Sequence, residues 1–145
     1  MLSTLTRTTG VLALGTLLFA AMPAFADTVM YKADMTGANE TPPTTSKGTG
    51  TVTATFDTAT KVLTWKGTYT GLTGDATAAH FHGPADAGQA AGVALAIKPF
   101  ASPFDGSATL SDAQAADLAA GKWYVNVHTA ANPKGEIRGQ VLKSQ

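Results

Sequence analysis

Two neighbouring stretches decide the fold: TVTATF at Thr51–Phe56 and LTWKGTYT at Leu63–Thr70. In the first, Val52, Ala54 and Phe56 take one side of an extended chain while Thr51, Thr53 and Thr55 take the other. In the second, Leu63, Trp65 and Tyr69 oppose Thr64, Lys66 and Thr70. Successive side chains of a strand point to opposite faces, so this period of two predicts strands with one face in a core and one in water.

The same texture continues on both sides. From Thr28 onward the chain is rich in Thr, Val, Ala and Gly, and Gly, Pro, Asn and Asp punctuate short alternating runs at regular intervals. That pattern belongs to sandwiches and barrels. Strands are predicted at 29–35, 50–56, 62–69, 77–82, 93–97, 104–109, 122–128 and 136–142. One helix is predicted in SDAQAADLAAG, where Ser111 can cap, Gln114 stands three residues on, and Gly121 supplies a left-handed exit. GANETPPTTSKGTG reads as a loop between the first two strands. The expected fold is all-β: an antiparallel, Greek-key-like β-sandwich of about eight strands with one short helix. Trp65, Trp123, Phe56 and Phe81 are its expected core.

The ends and the composition narrow the setting. MLSTLTR, an apolar run through Met22, and PAFA before Asp27 make up the three parts of a secretory signal peptide over residues 1–26. The apolar run is too short for a membrane span, which needs about 20 residues, so a periplasmic or secreted domain over residues 27–145 is expected. Taking 26 residues from 145 leaves 119, enough for one core and too few for two ordinary domains. Arg7 is the only charge removed, so nine basic residues remain against ten acidic ones, a formal charge of −1. With both signs scattered, nothing suggests nucleic acid as a partner. The chain has no cysteine. Packing must therefore hold the fold, and any metal must be bound by nitrogen and oxygen.

Only three histidines occur, and two of them stand one residue apart in AHFHGPA at Ala79–Ala85. Alternation sends Ala79 and Phe81 to the core, so His80 and His82 share the opposite face, about 7 Å apart at Cβ. The third, His128, lies in YVNVHT. The last two strands read as a hairpin around TAANPKG, with Val127 facing Ile137 and Trp123 facing Val141. This register pairs His128 with Glu136, Asn126 with Arg138, and Tyr124 with Gln140 on a polar, solvent-facing row. A one-residue slip would bury the charges and expose the valines. His80, His82, His128 and Glu136 are thus candidate ligands for Cu or Zn, if the two strand segments adjoin. The alternative is a set of hydrogen-bonded surface groups, with Glu136 and Arg138 bracing the hairpin as an ion pair.

Enzymatic signatures are missing. There is no GxSxG-like elbow, no HExxH helix, no phosphate-cradling glycine loop and no carboxylate pair placed for acid–base work. A non-enzymatic protein is expected.

GANETPP, YTGL at Tyr69–Leu72, TAAHFHGPADAG at Thr77–Gly88, LAAGKWYVNVHT at Leu118–Thr129 and NPKGEIRGQV at Asn132–Val141 together resemble the chordin-domain (CHRD) family, here as a single-domain bacterial secreted member. The resemblance implies an extracellular or periplasmic β-sandwich module, single in bacterial proteins and repeated in animal chordin, a binder of growth factors. It carries no catalytic set. Its recurrent His-x-His, Val-His-Thr and Gly-Glu-Ile-Arg-Gly elements fall on His80, His82, His128, Glu136 and Arg138. The leading expectation is a non-enzymatic binding module holding Cu or Zn. Its rival is a structural or adhesive module that meets an envelope or extracellular protein without metal. AHFHGP also resembles the His-x-His strand of copper/zinc superoxide dismutases, although this chain has fewer histidines and lacks their cysteine bridge.

Overall fold

A computed structural model describes residues 27–145, so the signal-peptide expectation for residues 1–26 lies outside the described residues. Eight strands form: β1 (Thr28–Thr36), β2 (Thr49–Asp57), β3 (Val62–Thr70), β4 (Ala76–His82), β5 (Val93–Ala96), β6 (Phe104–Thr109), β7 (Trp123–Thr129) and β8 (Ile137–Lys143). Each end falls within one residue of its predicted place. Helix α1 spans Asp112–Ala119. Its capping box is complete: the Ser111 hydroxyl accepts from the Gln114 amide, and Gln114 Oε1 accepts from the Ser111 amide. Gly121 follows at φ 71°.

All pairings are antiparallel, in the order β5-β4-β7-β8-β1-β2-β3-β6. The expected sandwich is therefore one continuous sheet that curls upon itself. The curl shows in the core, where Trp65 of β3 packs edge-on against Phe81 of β4 at 5.3 Å, although four strands lie between them in the hydrogen-bonded order. Phe81 also lies 5.9 Å from Trp123 of β7. The four aromatic residues expected inside are buried, as are Tyr31, Leu63, Leu118 and Ile137. No helix among the described residues is long and apolar enough to cross a membrane.

The hairpin register is the one alternation predicts: Trp123 pairs with Val141, Tyr124 with Gln140, Asn126 with Arg138, and Val127 with Ile137. On its other side β7 pairs with β4, placing His80 opposite Asn126 and His82 opposite Tyr124. The two histidine-bearing segments thus adjoin. The polar row does not face solvent, however. Asn126 and Arg138 are each 2% exposed and His82 8%, because Thr41 and the 83–92 loop cover them.

Candidate metal centre

β4 delivers His80 and His82 and β7 delivers His128, all on the face away from Phe81 and Val127. Cross-strand neighbours lie about 4.5–5.5 Å apart at Cβ, so imidazoles on adjoining strands reach one another without backbone change. One nitrogen from each ring lies within 4.8 Å of the others. His80 Nδ1 and His128 Nε2 are only 3.1 Å apart. Bonds of about 2.0–2.1 Å at angles between 90° and 110° place two ligands roughly 2.9–3.4 Å from each other, so this pair already has a ligand spacing.

Backbone carbonyls set the tautomers. His128 Nδ1 gives its proton to the Pro133 carbonyl at 3.0 Å, so Nε2 is the nitrogen left to face His80 Nδ1. His82 Nδ1 lies 3.0 Å from the Ala91 carbonyl. Donation there likewise directs the lone pair to Nε2. Such carbonyl-held rings are how proteins orient imidazole ligands.

His82 is the most constrained of the three. It stacks on Tyr124 with ring centres 4.7 Å apart and planes 4° from parallel. The Arg138 guanidinium carbon sits 3.5 Å from the centre of the same ring, so the two must occupy opposite faces of Tyr124. Arg138 donates to the Gln89 carbonyl and Thr41 Oγ1, and the Tyr124 hydroxyl contacts Ala91. The column therefore ties the 83–92 loop to His82.

Burial lowers the pKa of His80 below its ordinary 6.5, and His128, His82 and Lys98 add repulsion. Burial likewise lowers that of His82, opposed by hydrogen bonds to Ala91 and Asn126. Both rings are neutral at pH 7, the state a metal requires. Three imidazoles without thiolate suit zinc or copper.

Glu136 does not join them. Gly135 at φ 131° turns the chain before β8 begins, and the carboxylate departs from the alternation to the side of Thr129. There it accepts from Ser46 Oγ, Thr73 N and Oγ1, Thr129 Oγ1 and Asn132 Nδ2. Burial alone would raise its pKa, but the bonds from Ser46, Thr129 and Thr73 outweigh that and bring it to about 2. The expected pairing with His128 is not formed. The Pro133 carbonyl orients that ring instead, and Arg138 makes no ion pair with Glu136 within 4 Å.

A family model of the CHRD domain matches residues 31–141, most of the chain. The chain belongs to the CHRD family. Comparison with curated proteins and with solved structures gives no match. Within this CHRD domain, AHFHGP forms the end of β4 and its exit, and YVNVHT forms β7, so two of the recurrent elements supply all three imidazoles. The third, GEIRG, supplies a buried carboxylate anchor and the guanidinium under Tyr124. Sequence reasoning missed the roles of Tyr124 and Asn126. Both were placed on the polar row, but cross-strand pairing with β4 was needed to bring them against His82.

Proposed function

We propose that this CHRD domain works in the periplasm or outside the cell as a non-enzymatic metal-binding module, taking Zn(II) or Cu(II) through His80, His82 and His128. The observation that carries the reading is the approach of the three imidazoles, with His80 and His128 already at the spacing of two ligands on one ion. A merely adhesive surface has no need of three imidazoles turned toward one another, two of them held by backbone carbonyls. Copper is favoured where both ions are available, since nitrogen sites generally hold it more tightly. The export pattern in residues 1–26 supports the location, and the CHRD domain is not known as an enzyme family.

Calorimetric titration of the metal-free protein tests the reading. One ion per chain should bind, and His80→Ala, His82→Ala and His128→Ala should each weaken binding at least about tenfold. Equal affinity across all four proteins would reject it and favour the adhesive module.

A further inference from the structure

With Glu136 engaged elsewhere, the side chain at the middle of the site is Asn126. It stands opposite His80 and, along β7, between Tyr124 and His128, and it is 2% exposed. Its amide orientation follows from its neighbours. Nδ2 faces the Lys134 carbonyl at 3.4 Å and lies beside Glu40, whose Oε1 has no hydrogen-bond partner of its own. Both neighbours are acceptors, so the amino group belongs there and the carbonyl oxygen must point the other way, toward His82 Nε2 at 3.0 Å.

That contact is mismatched. A neutral imidazole has one N–H, and two oxygens compete for it, the Ala91 carbonyl at Nδ1 and Asn126 Oδ1 at Nε2. When the proton serves Ala91, a nitrogen lone pair and an oxygen lone pair face each other inside the protein. A cation seated between them would satisfy both. The 3.0 Å separation is also what two neighbouring ligands of one ion show at bonds of about 2.0–2.1 Å.

We propose that Asn126 Oδ1 is the fourth ligand, making the site three nitrogens and one oxygen. The assignment rests on the three-histidine reading and names the donor it lacked. Asn126 would then act on the ion itself rather than by holding His82 in place.

The test is titration of the wild type, Asn126→Asp and Asn126→Ala with Co(II), read by its visible ligand-field absorption, with Zn(II) affinity measured by competition. Replacing an oxygen ligand changes the field at the ion, whereas loosening a histidine's support changes affinity alone. Asn126→Ala should bind at least about tenfold more weakly with a shifted, reshaped band. Asn126→Asp keeps the side-chain shape should alanine disturb the fold, and it should restore binding with a third band shape. Wild-type band shape in both variants would overturn the assignment while leaving the histidine site standing. Failure of the wild type to bind Co(II) or Zn(II) would overturn the site itself and this assignment with it.

Discussion

Five hydrogen bonds converge on the Glu136 carboxylate, from Ser46, Thr73 by two atoms, Thr129 and Asn132. The residue is 0% exposed, so each bond forms where water cannot substitute for it. Its folded pKa of about 2 lies below the ordinary 4.5. A depressed carboxylate stabilises the fold fully above the unfolded value, and that contribution is lost as pH falls from about 4.5 toward about 2. The stability involved is on the order of 3 kcal/mol. Denaturant unfolding should therefore show a loss of this size in the wild type across that window. Glu136→Gln should be less stable at pH 7 and should lack this acid-dependent part. The histidines carry a second expectation of the same kind. Lowered values for His80 and His82 mean that protons compete for those two nitrogens below the ordinary 6.5, so their part in the fall of affinity with pH should appear beneath 6.5. A decline already complete at 6.5 would contradict the buried, neutral rings described here.

At the scale of elements, the β7–β8 hairpin does two tasks at once. Its odd positions Trp123, Val125 and Val127 enter the core, and its even positions Tyr124, Asn126 and His128 build the site. Trp123→Ala should cost about 3–5 kcal/mol, the range for deleting a large buried aromatic, as read from denaturant midpoints. A cost below about 1 kcal/mol would mean the residue is not the core element its 1% exposure indicates. The hairpin also marks how far sequence reading reaches. Its register was legible because only one alignment buries Val127 and Ile137 together, and the capping box of α1 was legible because it is local. The break of alternation at Glu136 was not, because its partners Ser46 and Thr73 lie 90 and 63 residues away. Nor was the covering of the polar row. The exposed side of a strand is known only once the loops over it are placed, and here those are the NETPP segment and the 83–92 loop.

For the whole molecule, eight strands of one curled sheet close around a single core that contains none of the three histidines. The fold should therefore persist without metal. Circular dichroism after chelation should retain the β-sheet spectrum, and an ion at 100 times its dissociation constant should add about 2.7 kcal/mol. The all-β class and eight strands followed from sequence pattern, but the single sheet did not, since alternation says which face is buried and not which strands pair. That pairing of β4 with β7 underlies the central claim, that two distant sequence elements meet to hold one ion. The most direct measurement is a crystal structure of the zinc-loaded protein with an anomalous difference map recorded at the zinc edge. One peak should appear about 2.0–2.1 Å from a nitrogen of each of His80, His82 and His128. An ion bound elsewhere, or no peak between the three imidazoles at saturating zinc, would contradict it.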